Sequence, residues 1–260
     1  MSPLSEPAEG DAAAGLPRVG YLGPEGTFTE QALLGSAAAG AVAPVALATI
    51  YEAIEAVRAG AVDFSVVPIE NSLDGSVTVT LDLLADDSRS TPLRIVGETL
   101  LSVRHSLIAA RELALEEIDT VLTHPQVPGQ CERFLRGELP RAAVLAASST
   151  AEAVRRVVEE GRGDQAALGT VLAASIYGGT VLREGVQDRD DNETRFVWLA
   201  AGERAAVPEP PLREEGQGDE WKTSVVFWGP GADSAGWLVR CLAEFSERGI
   251  NLTKIESRPN

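Results

Sequence analysis

Residues 45–68, VALATIYEAIEAVRAGAVDFSVVP, and residues 145–169, LAASSTAEAVRRVVEEGRGDQAALG, read the same way one hundred positions apart. Each opens on an apolar run of strand length. A hydroxyl residue follows with a glutamate three places on, Thr49 with Glu52 and Ser149 with Glu152, which is the capping-box signature of a helix start. Apolar residues then recur at helical spacing as far as a glycine, and an aspartate leads into a second apolar run. One strand-helix-strand unit is used twice.

Strands alternating with helices imply mostly parallel sheets, so two such units predict two α/β lobes. In these sheets ligands lie beyond the carboxyl ends of the strands, where helix N-termini also point. The helix starts at Thr27, Thr49, Ser149 and Thr170 therefore flank a cleft with free N–H groups and partial positive charge, suited to carboxylates and above all to a small dianion. Upstream of the first unit, RVGYLG (residues 18–23) reads as a strand, broken by PEG before a third capping box formed by Thr27 and Glu30.

The lobes are expected at about 18–95 and 96–189, with TRFVWLA returning over 190–203 to complete the first. Residues 204–220 form a linker whose prolines, glycines and charges cannot build a core. Over 221–260, KTSVVFWG reads as a strand, SAGWLVRCLAEFSERG as an amphipathic helix and INLTKIESRPN as a second strand, a β-α-β module with an unpaired edge that looks truncated. Residues 1–17 lack a basic start and a long apolar run, so they read as a disordered tail, neither a signal peptide nor a membrane span.

Composition removes several classes of function. A formal net charge of −17 repels nucleic acid and anionic membrane surfaces. The two cysteines, Cys131 and Cys241, are far apart without a metal or redox spacing, which fits a reducing cytoplasm. With His105 and His124 as the two histidines, no transition-metal site is expected, and neither a dinucleotide fingerprint nor a P-loop lysine is present. Chemistry is left to hydroxyls, amides, arginines and carboxylates.

Several segments in order resemble the prephenate dehydratase family: GYLGPEGTFTEQAL, VVPIENSLDGSV, THPQVPGQC, SSTAEAV, AALGT and DNETRF, then GWLVRCL and NLTKIESRP. The ordered set covers residues 18–260 and is specific where a single piece would not be. The resemblance implies a two-lobed α/β catalytic domain like a type II periplasmic binding protein, followed by part of an α+β, ferredoxin-like ACT regulatory domain. It also implies a cofactor-free reaction in which prephenate loses water and carbon dioxide to give phenylpyruvate. The implied partners are prephenate and, as effector, L-phenylalanine, in a cytoplasmic dimer or tetramer.

Carried over residue by residue, the resemblance puts Thr194 at the substrate as a donor to the leaving hydroxyl, with Asn71, Thr123 and Gln130 beside it as catalytic residues. Arg195 is expected to add positive potential and Phe196 to anchor the strand. Ser72 offers a donor, Gly75 allows close backbone approach, Glu70 is either an acid or an arginine partner, and Thr27, Ser149 and Thr150 combine capping with substrate contact. His124 invites a general-base role by its titration range, although a packed loop histidine fits its place beside proline as well. Ser148 stands where some family members carry glutamate. The effector motifs map to Gly236, Trp237, Leu238 and Val239 and to Glu256, Ser257, Arg258 and Pro259. Trp237 replaces the usual alanine and puts the effector's identity in question. Arogenate as substrate and a non-catalytic amino-acid sensor are the rival expectations.

Overall fold

The structure, a computed structural model, describes residues 15–86, 91–202 and 223–257. Most of the expected tail, the linker at 204–220, and Arg258 and Pro259 lie outside the described residues. The chain divides into a unit of residues 1–215 and a unit of residues 216–260.

In the larger unit, β1 (Arg18–Leu22), α1 (Phe28–Ser36), β2 (Ala43–Leu47), α2 (Ile50–Arg58) and β3 (Phe64–Asn71) alternate as the repeat requires. The short β4 (Gly75–Ser76), α3 (Thr78–Ala85) and β5 (Leu93–Ser102) follow. The chain then crosses to β6 (Ser106–Ala109), β7 (Thr120–Thr123), α4 (Val127–Gln130), α5 (Glu132–Glu138), β8 (Ala143–Ala146), α6 (Thr150–Glu160), β9 (Gln165–Gly169), α7 (Val171–Tyr177) and β10 (Thr180–Arg183), and returns as β11 (Glu193–Ala201). The first sheet runs β2-β1-β3-β11-β5, with β4 hairpinned onto β3; the second runs β10-β6-β9-β7-β8.

Within each sheet the repeat strands pair in parallel around a central strand, β1 between β2 and β3, and β7 between β8 and β9. An antiparallel strand follows on one side, β11 against β3 and β6 against β9. This strand order, in which the chain crosses between lobes twice, is that of the type II periplasmic-binding-protein class. The expected lobe boundary at residue 95 falls inside β5, which stays in the first sheet through Ser102 because it pairs with β11 over its whole length.

Each sheet is covered on both faces, and the alternation of strand side chains sorts the core. On one side of the first sheet Val66, Phe196 and Trp198 meet Leu33 of α1; on the other Val67, Val197 and Leu199 meet Ile54 and Val57 of α2 and Leu83 of α3. In the second lobe Val121 and Leu168 face Cys131 and Leu135, while Leu122 and Ala167 face Val154 of α6 and Ala173 of α7. Strands buried on both faces read as continuous apolar runs, as the sequence shows.

The capping expectations resolve individually. Thr27, Thr49 and Ser149 are N-caps whose hydroxyls accept from the backbone N–H of Glu30, Glu52 and Glu152. The glutamates diverge. Glu52 reaches back to the Ala48 N–H at 3.0 Å, and Glu30 to the Gly26 N–H, whereas Glu152 turns to the Arg155 guanidinium at 2.9 Å.

In the smaller unit α8 (Trp237–Glu247) forms as expected. The two flanking strands do not form within the described residues. A strand exists through its ladder partners, and the segments around Val225–Trp228 and Ile250–Ile255 leave those apolar side chains exposed and unladdered. Phe227 packs its ring on Trp237 at 5.8 Å and faces Phe245 at 6.3 Å. Trp237 is thus half-buried against its own segment, while Leu238 and Val239 are exposed and Gly236 is the helix N-cap. Glu256 and Ser257 are exposed, the former 3.7 Å from Lys254.

Candidate functional site

Because the repeat strands of each sheet are parallel, their carboxyl ends share one edge. In the first lobe that edge carries Thr27, Thr49 and Asn71, and β11 begins there with Thr194 because it runs the other way. In the second it carries Thr123, Ser149 and Thr170. The two edges meet. The Thr170 hydroxyl donates to the Gly26 carbonyl at 2.6 Å, and the Tyr177 hydroxyl to the Glu25 carbonyl at 2.8 Å. The crossings meet as well, since the Val103 N–H donates to the Asn192 carbonyl at 2.8 Å and the Val186 N–H to the His105 carbonyl at 2.9 Å.

Thr194 stands opposite Asn71 in the β11–β3 ladder, so both side chains leave the same face at the end of the sheet. The Asn71 amide nitrogen donates to Thr194 Oγ1 at 2.9 Å and to Asn192 Oδ1 at 2.8 Å. Asn71 Oδ1 accepts the backbone N–H groups of Leu73 and Asp74, both at 2.9 Å, which builds the turn into β4. Ser72 ties this turn to the return strand, its hydroxyl donating to the Asp191 carbonyl and accepting the Glu193 N–H, each at 3.0 Å. From the second lobe, Gln130 at the end of α4 accepts through Oε1 from the Asn192 amide at 3.2 Å. The structure therefore brings Asn71, Ser72, Gln130 and Thr194 together across the seam.

Other expected residues do different work. Thr123 is 1% exposed and its hydroxyl donates to the Leu168 carbonyl at 3.0 Å, extending the β7–β9 pairing. Thr27 spends both functions of its hydroxyl locally, donating to the Leu22 carbonyl and accepting the Glu30 N–H. Thr150 is buried in the first turn of α6, behind the Ser149 cap. Phe196 lies in the core beneath the site, an anchor as expected and not a contact surface.

Arg195 points away from Thr194, as the alternation of a strand demands, and lies between Glu70 at 3.1 Å and Glu98 at 3.3 Å. Two carboxylates offset its charge, so it does not supply the positive potential expected of it; Glu70 is its partner. Gly75 also serves differently: a side chain there would meet open space, and the residue is required by its φ of +81°, which closes the β3–β4 turn. His124 is half-exposed, its Nδ1 3.5 Å from the Gln126 N–H in its own loop. Ser148 is exposed before the Ser149 cap.

Two residues at the seam went unread in the sequence. Asn192 is 2% exposed between Asn71 and Gln130. His105 is 1% exposed, packs edge-on against Phe28 of α1 at 5.4 Å, and places Nε2 2.9 Å from Gln130 Oε1. Burial holds its pKa below the usual histidine range against the opposing hydrogen bond to Gln130. The available signals were a histidine in the short polar stretch between the apolar runs of β5 and β6, and the one amide inside DNETRF. Elsewhere, burial and the Asp188 carboxylate push the Cys131 thiol up to about 12, which leaves it an inert core thiol. The Tyr21 hydroxyl, buried and donating to Glu30, is likewise raised.

The profile of the family described as prephenate dehydratase matches residues 19–204. A prephenate dehydratase of Mycobacterium marinum is 40% identical over 250 residues, 93% of this chain and 74% of the relative. The crystal structure of prephenate dehydratase from Arthrobacter aurescens in complex with L-Phe superposes with a TM-score of 0.75 at 33% identity, covering 94% of this chain and 76% of that one. A solved structure described as GqqA, a novel type of quorum quenching acylase, gives a TM-score of 0.73 at 26% identity and covers 94% of this chain and 82% of that one. With the family profile spanning most of its length and a relative at 40% identity aligned over nearly all of it, the chain belongs to the prephenate dehydratase family.

Proposed function

We propose that this protein is a prephenate dehydratase, releasing water and carbon dioxide from prephenate to give phenylpyruvate for phenylalanine synthesis. The observation that carries the reading is the Asn71–Thr194 pair. Since Thr194 Oγ1 accepts from the Asn71 amide, its own proton is free to point into the cleft. A hydroxyl that accepts one hydrogen bond donates another more strongly.

Loss of the ring hydroxyl builds negative charge on the departing oxygen, and a fixed donor there stabilises the transition state more than the ground state. As the C–O bond breaks, the bond to the ring carboxylate supplies its electrons to the ring, carbon dioxide departs, the leaving hydroxide takes up one proton from solvent to become water, and aromatisation drives the step. The substrate's carboxylates require donors, which the site offers as the Gln130 amide, the Ser149 hydroxyl and the backbone N–H groups at the start of α6. Acyl hydrolysis is less well served. A threonine nucleophile needs a base to take its proton, and the group beside Thr194 is an amide donor.

Residues 18–203 form the catalytic domain in this reading. Residues 221–260 belong to an ACT-type regulatory domain answering to phenylalanine through Gly236–Val239 and Glu256–Pro259, within a cytoplasmic dimer or tetramer. The reading is supported by the family, by the ordered motifs and by two thiols without a disulfide. The deciding experiment follows prephenate and arogenate with purified protein and a chelator. Phenylpyruvate formed from prephenate is the expected result, and preference for arogenate or no turnover would overturn it.

A further inference from the structure

The side-chain hydrogen bonds that lead from Asn71 to Gln130 have a fixed polarity, and the turn after β3 sets it. Backbone N–H groups can only donate. Those of Leu73 and Asp74 converge on Asn71 Oδ1, so the Asn71 amide nitrogen must face Asn192 and Thr194. With its oxygen accepting, Asn192 donates through nitrogen to Gln130 Oε1. That oxygen is an acceptor, so His105 Nε2, 2.9 Å away, carries the ring proton. Nδ1 is then the bare nitrogen, and it lies buried with no hydrogen-bond partner.

We infer that His105 is a positioning residue for the reaction: with Asn192 it pins the Gln130 carbonyl and thereby presents the Gln130 NH2 group to the cleft as a donor to a substrate oxygen. The inference deepens the prephenate reading and rests on it. A glutamine held by one bond can reverse its amide at modest cost, turning a carbonyl oxygen toward an anionic substrate. Two donors on one oxygen make that reversal unfavourable. The ring itself is well held. The His105 N–H donates to Gln187 Oε1 at 3.1 Å, its carbonyl accepts from Val186, and Phe28 closes one side.

The test is a double-mutant cycle on the full chain, with kcat/KM for prephenate and the unfolding midpoint measured for each variant. His105→Phe keeps a ring beside Phe28 and removes the donor. It is expected to lower kcat/KM about tenfold in the wild-type background, the scale of a weakened hydrogen bond to a charged group, and to cause no further loss in Gln130→Ala. His105→Gln, whose amide nitrogen reaches the Nε2 position, should recover most of the activity. Wild-type activity in His105→Phe, or an equal loss with Gln130 absent, would overturn the inference, since His105 would then act independently of Gln130. The imidazole 15N spectrum of the wild-type protein decides the matter even if the phenylalanine variant fails to fold. A proton on Nε2 is expected, and one on Nδ1 refutes the arrangement. If wild-type protein leaves prephenate untouched, the reaction assigned to the site fails, and the same spectrum still decides the pinning of Gln130.

Discussion

The two lobes share a wiring diagram and differ in what fills it. The order β2-β1-β3-β11-β5 maps position by position onto β8-β7-β9-β6-β10, with the same strands parallel and antiparallel. Across the hundred-residue offset, however, Val66 and Val67 of β3 become Ala166 and Ala167 of β9. Around Val66 the first lobe carries Tyr21, Phe64, Phe196 and Trp198, while around Ala167 the second carries Ala147, Ala151, Ala153, Ala173 and Ala174. The small residues let α6 seat tightly on β9: a side-chain carbon on Gly169 would fall 2.5 Å from Val154 Cγ2 and 3.2 Å from the Thr150 carbonyl oxygen. Topology follows from punctuation by caps and glycines. Core composition sets only how the layers are spaced.

The contrast predicts opposite sensitivities. Trp198→Ala removes the largest buried side chain of the first lobe and its 3.0 Å hydrogen bond to Ser36 Oγ, and is expected to cost about 3–5 kcal/mol by denaturant titration. A cost below about 1 kcal/mol would show that this core collapses as readily as the alanine-rich one. Thr194→Ala should lower turnover by about 10²–10³ with little change in unfolding midpoint, because it deletes a donor and not a packing contact. Thr194→Ser should retain more. Ala167→Val writes the first lobe's residue into the second and should destabilise by about 1–3 kcal/mol through overpacking; a neutral result would mean that the second lobe holds slack.

The seam between lobes should respond to pH. Burial depresses the folded-state pKa of His105, so the unfolded chain binds the proton more readily. That contribution is fully present above the usual histidine value of about 6.5 and is lost as pH falls below it, with a slope of at most about 1.4 kcal/mol per unit for one proton. Urea midpoints at pH 7.5 and 5.5 should therefore converge more in His105→Gln than in wild type; identical pH dependence would show that the ring protonates without disturbing the seam. The smallest effects test the equivalence of the caps. Thr49→Ala and Ser149→Ala should each cost about 1 kcal/mol, and a large inequality would break the repeat as an energetic unit.

The repeat was legible because each of its signals is local: a cap hydroxyl, a glutamate three residues on, a helical period, a closing glycine. The return of TRFVWLA to the first sheet was legible through its apolar run. What stayed hidden depends on partners far away in sequence. That β5 continues to Ser102 follows from β11, about 90 residues later. That Arg195 is neutralised follows from Glu70 and Glu98, on the two strands flanking its own. His105 looked like an isolated residue because Gln130 comes within 2.9 Å of its ring only once the second lobe has folded. The strands read into residues 221–260 had the right composition, but composition cannot supply a ladder.

The position of β11 also has a consequence for synthesis. It lies between β3 and β5, so when β5 leaves the ribosome its one sheet neighbour among the described residues has yet to be made. The second lobe suffers no such delay, because β6 to β10 form an unbroken stretch of chain from Ser106 to Arg183. At roughly 5–20 residues per second the wait from Ser102 to the start of β11 is on the order of 5–20 s. The lobe translated second is therefore the one that can close first, and the first is finished by the same few residues that bring Thr194 opposite Asn71, so that closing the sheet and placing that hydroxyl are a single event.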